Sequence, residues 1–178
     1  TTAELDVDRY PSSSGQLDLG RLLVAEPLAM GVADAVQDEH GLVWGTVPAT
    51  AGKSLPTIAW CAHLDTSPEA PGLNVRPQVI ENYPGGDIVL PNDPSQVIRL
   101  ADSPELASLQ GRTIITTDGT TLLGADDKAG VAIIMETAAW LIEHPEIEHG
   151  PIRLCFTCDE EIGRGVDKLD LGKMNATV

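Results

Sequence analysis

The chain has 178 residues, of which 42% are hydrophobic and 3% aromatic, and its formal net charge is −16. This length and composition predict one soluble globular domain with a largely aliphatic core. With 11 lysines and arginines in total, the chain lacks the clustered cations that nucleic acids and anionic membranes require, so neither is expected as a partner.

Two further features predict a cytoplasmic protein. No apolar run approaches the roughly 20 residues of a membrane span, and residues 1–9 lack the basic and apolar regions of a signal peptide. Cys61 and Cys155 lie in apolar, strand-like runs, which favours reduced, buried thiols. Cys155 and Cys158 form a single CxxC pair without a second pair, so a zinc knuckle or redox motif is not favoured.

The first half of the chain predicts a helix, a hairpin and a buried strand. The helix runs from Leu17 to Met30 after a serine cap, and Pro27 is expected to end or kink it near Glu26. Residues 33–37 and 42–47 read as the hairpin. The apolar run 57–62 predicts a strand covered on both faces, with His63 at its C-terminal end.

The second half begins with a long excursion. Residues 67–104 are rich in Pro, Gly, Asn and Asp, with extended stretches at 87–90 and 96–100, and a loop of this length is expected to border a site. Strands are then predicted at 112–116, 120–123 and 152–157, and the apolar stripe of residues 131–142 predicts a helix that ends at His144-Pro145. Strands interleaved with helices indicate an α/β sandwich without an internal domain boundary.

Three polar motifs follow predicted strands, where open α/β sheets place their sites: residues 63–66 (HLDT), 124–130 (GADDKAG) and 159–163 (DEEIG). A histidine in the position of His63 is more often structural than a ligand, although Asp65 can orient its imidazole. Asp126 and Asp127 precede a helix, and because one aspartate suffices for capping, the other is free to bridge two cations.

Two interpretations of Glu160 and Glu161 are equally favoured: a solvated acidic turn, or two different roles in a metal site. In the second case one glutamate binds a metal and the other accepts a proton from metal-bound water. Taken together, the three motifs supply imidazole nitrogen and carboxylate oxygen, which zinc accepts as ligands.

The sequence resembles the peptidase T family, the tripeptide aminopeptidase branch of the co-catalytic zinc peptidases. The matching blocks are residues 63–68, 74–75, 77–78, 81–83, 85–88, 116–119, 122–130 and 159–163. The resemblance implies His63 as ligand of one zinc, Asp126 as the bridge and Glu161 as ligand of the other zinc. It also implies Glu160 as general base and Asp65 as the residue that orients His63.

The resemblance further implies a three-layer sandwich with a mixed, largely parallel central sheet flanked by helices, and a cis peptide bond between Asp126 and Asp127. The implied activity is hydrolysis that releases the N-terminal residue from tripeptides. Two zinc ions polarise the scissile carbonyl and acidify a bridging water, whose proton Glu160 passes to the leaving amine. The expected partners are therefore short peptides with a free N-terminus.

The same resemblance predicts that residues 1–178 are the N-terminal portion of a catalytic domain. The lid or dimerisation domain, through which a homodimer would form, and the C-terminal catalytic portion are expected to lie outside the sequence. Each zinc then has two ligands here, so the isolated chain should bind zinc weakly and be inactive. Cys158 stands where the family usually has proline.

Two alternatives remain open at this stage. The first is a non-catalytic domain that binds peptide or metal. The second is a related two-zinc carboxypeptidase or deacylase, which the block at residues 74–88 disfavours.

Overall fold

The computed structural model describes residues 1–177, which divide into two compact units. One unit combines residues 1–68 with the chain from Ala125 onward, and the other comprises Glu69–Gly124. The expectation that no internal boundary exists was wrong, because the loop-rich excursion packs on a core of its own. The two units are described separately.

The elements occur in the following order along the chain. The strands are β1 (Val36–Gln37), β2 (Val43–Val47), β3 (Ile58–His63), β4 (Gln78–Ile80), β5 (Ile88–Val89), β6 (Val97–Ile98), β7 (Ile114–Thr116) and β8 (Ile152–Thr157), and the α-helices are α1 (Ser14–Met30), α2 (Ala125–Glu143) and α3 (Leu171–Met174). Short 3₁₀ helices span Pro104–Leu109 and Glu160–Ile162.

The first unit is built on a four-stranded sheet in the order β1-β2-β8-β3. The predicted hairpin is confirmed as the antiparallel pair β1 and β2; β2 also runs antiparallel to β8, and β3 runs parallel to β8. The predicted α/β class with a mixed, helix-flanked sheet is thus confirmed. The sheet is less parallel than predicted, because only one of its three strand pairings among the described residues, β3 with β8, is parallel.

The core lies mainly on one face of this sheet. The alternating residues Ile152, Leu154 and Phe156 of β8 are all buried, as predicted, and join a cluster with side chains from α1 and α2. The helical contribution includes Leu23, Val131, Ile134, Met135 and Ala138. On the opposite face Trp44 and Cys155 pack with Tyr10, Leu169 and Met174, so the sheet lies between two layers.

Helix α1 continues past Pro27 to Met30, so the predicted end or kink near Glu26 was wrong. Pro27 lies in the last turn, where its missing N–H removes a single helical hydrogen bond. Its own carbonyl accepts the N–H of Val32, and Gly31 closes the helix in a left-handed conformation (φ 99°). These contacts at the C-terminal end of α1 therefore allow the helix to include Pro27.

Strand β3 is less covered than predicted. Its first three residues are half-buried and Cys61 is exposed, and β3 lies at the edge of the sheet, where it pairs only with β8 among the described strands. The expectation of a strand buried on both faces, with a buried Cys61, was therefore wrong. Cys155 is buried as predicted, Cys158 is buried as well, and all three cysteines are free thiols.

The second unit contains two small antiparallel pairs, β4 with β7 and β5 with β6. The extended stretches expected at 87–90 and 96–100 correspond to β5 and β6, whereas residues 120–123 form no strand. Tyr83, Ile88, Leu90 and Leu106 form the core of this unit. No helix within residues 1–177 combines the length and apolar character needed to cross a membrane.

Candidate active site

His63 occupies the last position of β3 and is surrounded by carboxylates. Its Nε2 lies 2.9 Å from Oδ1 of Asp126 and 3.7 Å from Oε2 of Glu160. Its Nδ1 lies 3.3 Å from Oδ1 of Asp65 but, among residues 1–177, has no partner with hydrogen-bond geometry. The imidazole therefore has one nitrogen facing the predicted orienting aspartate, Asp65. The other faces the predicted metal bridge, Asp126, and the predicted general base, Glu160.

The two adjacent aspartates at the start of α2, where the backbone is not yet helical, make different contacts. Oδ1 of Asp127 accepts the N–H of Gly130 at 3.1 Å, which caps the helix, and its Oδ2 accepts the N–H of His63 at 3.2 Å. Asp126 is left to face the imidazole. The predicted capping by one of the two aspartates is confirmed, and so is the predicted cis peptide bond between Asp126 and Asp127.

Asp65 does more than face the imidazole. It is fully buried, and its two oxygens accept the backbone N–H groups of Glu160 at 3.0 Å and Glu161 at 2.9 Å. Asp65 thus connects the loop after β3 to the turn after β8. No sequence signal indicated this contact, since the residues are 95 and 96 positions apart.

Lys128 also supports the loop after β3, a role that the sequence analysis missed. Its Nζ donates to the carbonyl oxygens of Leu64 at 2.8 Å and Asp65 at 3.2 Å. Burial lowers the pKa of Lys128, while the neighbouring carboxylates of Asp65, Asp127, Glu161 and Asp126 act to raise it. The lysine therefore fixes the backbone of the loop with two donated hydrogen bonds.

The predicted convergence of His63, Asp126 and Glu161 is confirmed. One ligand atom from each residue can be chosen so that all three lie within 4.8 Å of one another. A pocket of about 310 Å³ opens at this point, and its lining includes His63, Asp126 and Glu160. Three segments that are distant in sequence therefore place atoms that could hold a metal ion beside an accessible pocket.

The electrostatics of the site favour a cation. Burial is the largest influence on His63 and lowers its pKa, but its contacts with Asp65 and Asp126 outweigh burial and raise the pKa to about 9. Burial raises the pKa of Glu161, and the adjacent charge of Asp126 raises it further. A bound metal ion would relieve the repulsion among these carboxylates, and it would have to displace the proton from the imidazole of His63.

Gly130 is required by the close approach of Asp127. A β-carbon on residue 130 would lie 2.1 Å from Oδ1 of Asp127, so we expect Gly130→Ala to displace the capping carboxylate from both of its N–H partners. The expected loss is about 1–3 kcal/mol of the free energy of unfolding, because two partly buried hydrogen bonds are broken. Urea unfolding measures it.

Gly52→Ala is the matched control, since a β-carbon on residue 52 meets no atom within 4 Å. It should be neutral or stabilise the chain by about 0.4–1 kcal/mol. If both alanine variants change the free energy of unfolding by the same amount, Gly130 is not required by the close approach of Asp127.

The comparisons with known proteins agree with this geometry. Residues 116–174, which include the motif before α2 and the turn after β8, match the peptidase family M20/M25/M40. Over 176 residues the chain is 52% identical to peptidase T of Geobacillus thermodenitrificans (strain NG80-2), covering 99% of this chain and 43% of that protein. The chain is a relative of peptidase T.

A second peptidase T, from Bacillus subtilis (strain 168), is 52% identical over 178 residues, again with 43% of its length covered. Two solved structures show that the fold is similar as well. The aminopeptidase PepT from Bacillus cereus superposes with a TM-score of 0.65 at 27% identity, covering 96% of this chain and 38% of the other. A tripeptidase from Staphylococcus aureus gives 0.64 at 25% identity with the same coverage. The chain thus spans less than half the length of these peptidase T relatives.

Proposed function

We propose that this chain is part of a zinc-dependent aminopeptidase that releases the N-terminal residue from tripeptides. The observation that carries the proposal is the convergence of His63, Asp126 and Glu161 to within 4.8 Å, with the Glu160 side chain directed to the same imidazole. The similarity to peptidase T over 99% of the chain supports the same activity.

The three convergent residues suit zinc in type and spacing. Imidazole nitrogen and carboxylate oxygen bind zinc at about 2.0–2.2 Å, so two ligands of a single ion lie within roughly 4.2 Å of each other. The spread of up to 4.8 Å accommodates two ions that share one carboxylate. In this arrangement His63 and Asp126 would hold one zinc ion, and Asp126 and Glu161 would hold the other.

Glu160 is the proposed general base. Its side chain is 58% exposed, and its carboxylate lies 3.7 Å from Nε2 of His63, beside the ligands without joining the group of three. Bound zinc would polarise the scissile carbonyl and lower the pKa of a water molecule. Glu160 would accept the proton from this water and deliver it to the leaving amine. Asp65 holds both His63 and the backbone of Glu160 in place.

The remaining proposals follow from the similarity to longer proteins. We propose that residues 1–178 form the N-terminal portion of a catalytic domain, that further protein ligands complete each zinc site, and that homodimers form through a separate lid or dimerisation domain. The expected substrates are short peptides with a free N-terminus. A cytoplasmic location also stays a prediction.

A substrate assay tests the proposal. The full-length protein that contains this chain is incubated with a tripeptide and with its N-acetylated form, before and after chelation and with zinc restored. We expect release of the N-terminal residue from the free tripeptide only, loss of this activity on chelation and recovery with zinc. The isolated chain should be inactive.

Other results would contradict the assignment. Release of the C-terminal residue, or equal cleavage of the acetylated peptide, would favour a carboxypeptidase or deacylase. Stoichiometric zinc binding by the full-length protein without turnover of any peptide would favour a binding domain.

A further inference from the structure

A buried polar network holds the turn that carries the proposed general base, Glu160, and the proposed zinc ligand, Glu161. Asp159 immediately precedes Glu160 and is fully buried, as are Ser12 and Gln16, which lie near the start of the chain. The backbone of Asp159 is left-handed (φ 60°, ψ 32°), a conformation that few residues with a side chain adopt and for which aspartate is comparatively suited. The direction of the chain into Glu160 depends on keeping this conformation.

Both polar parts of Asp159 have partners in the N-terminal segment. Its carboxylate accepts three hydrogen bonds, from the N–H of Ser12 at 2.7 Å, the hydroxyl of Ser12 at 2.5 Å and the side-chain amide of Gln16 at 2.7 Å. Its own N–H donates to Oε1 of Gln16 at 3.0 Å. Gln16 therefore forms a reciprocal pair with Asp159 and fixes its side chain and its backbone at the same time.

Three consecutive N–H groups of the turn are consequently held by buried side chains. Gln16 accepts from Asp159, and Asp65 accepts from Glu160 and Glu161. The Glu160 side chain itself remains mostly exposed at the pocket. The backbone of the turn is thus fixed from two sides, while the side chain that would act on a substrate is unobstructed.

We propose that Ser12, Gln16 and Asp159 are positioning residues that set the direction in which Glu160 and Glu161 enter the site. This inference rests on the proposed function, in which Glu161 binds zinc and Glu160 is the general base. It assigns to the N-terminal segment a role in the site that none of the three polar motifs indicates.

The experiment compares Gln16→Met with Gln37→Met in the full-length protein that contains this chain. Methionine keeps the approximate volume of glutamine but makes none of its strong hydrogen bonds. Gln37 is the matched control, because its amide donates to the carbonyls of Leu17 and Gly41 and to none of residues 159–161. Amide hydrogen exchange at residues 159–161 is followed by NMR without metal, and zinc affinity is then measured by calorimetry with zinc chloride.

We expect Gln16→Met to accelerate exchange at residues 159–161 by about tenfold, the equivalent of losing roughly one buried hydrogen bond. Zinc affinity should fall by about 10- to 100-fold, as for other residues that orient metal ligands. Gln37→Met should leave exchange at the turn and zinc affinity unchanged, even if the melting temperatures of the two variants are equal. If Gln16→Met prevents folding, Ser12→Ala, which removes only one hydroxyl, replaces it.

The outcomes separate the two proposals. Unchanged exchange at residues 159–161 in Gln16→Met, or equal acceleration in Gln37→Met, overturns the positioning role. Faster exchange that is confined to residues 159–161 of Gln16→Met supports the positioning role even if the full-length wild-type protein takes up no zinc. In that case it is the proposed function that fails.

Discussion

Glu160→Gln should lower kcat of the full-length protein by about 10²- to 10⁴-fold, the contribution typical of a general base. The amide keeps the size of the side chain but cannot accept the proton from water. Because Glu160 is not one of the three convergent ligand residues, zinc content should stay at the wild-type level. The measurements are tripeptide hydrolysis under saturating substrate and metal analysis of the purified variant.

The matched control is Glu26→Gln, which makes the same chemical change on an exposed position of α1. This variant should retain wild-type kcat and zinc content. Turnover by Glu160→Gln within a few-fold of wild type would remove Glu160 as the base. Loss of zinc together with turnover would instead make Glu160 a ligand.

Asp65→Asn should destabilise the chain and weaken its zinc binding. Both oxygens of Asp65 accept backbone N–H groups, so whichever oxygen is replaced by an amide NH₂ group leaves two donors facing each other in a buried site. The expected cost is about 2–4 kcal/mol of the free energy of unfolding. Zinc affinity should fall by about 10- to 100-fold, because His63 and the turn bearing Glu161 lose a shared support.

Asp38→Asn provides the comparison, since Asp38 also has a nearly buried carboxylate with several donors. It accepts the N–H groups of His40 and Leu42 and the indole N–H of Trp44. Urea unfolding should show a loss of stability in both variants, whereas calorimetry should show weakened zinc binding only in Asp65→Asn. If both variants bind zinc like the wild type, Asp65 is a structural residue without influence on the site.

The strongest periodic signals predicted the fold most accurately. Strand β8 and the end of helix α2 lie where the apolar alternation and the His144-Pro145 pair indicated, because both patterns span several residues and point to one face. The errors concern features that depend on distant packing. Pro27 is accommodated by the capping at Gly31, and the exposure of Cys61 depends on which strands flank β3.

The excursion between β3 and α2 was the least predictable region. Its strands are two or three residues long, too short for a periodic pattern to emerge among the glycines and prolines. Its separate core around Tyr83 could not be inferred from composition, and residues 120–123 were mistaken for a strand because short apolar runs also occur in ordered loops.

The candidate site was predictable in its residues but not in its supports. His63, Asp126 and Glu161 follow strands or precede a helix, so local motifs and strand ends indicated that they would meet. The contacts of Asp65 with the glutamate turn and of Asp159 with Ser12 and Gln16 join residues 95 to 147 positions apart. Such pairings arise from tertiary packing and leave no local pattern.

The distance in sequence between the convergent side chains has a thermodynamic consequence. His63 and Asp126 are separated by 63 positions, so an unfolded polypeptide offers no preformed chelating pair and gains little from a dissolved cation. Any ion captured by the assembled pocket would favour the native ensemble over the denatured one by mass action. Metal uptake and cooperative folding would then be linked equilibria, and scavenging the ion would lower the melting temperature as well as empty the pocket.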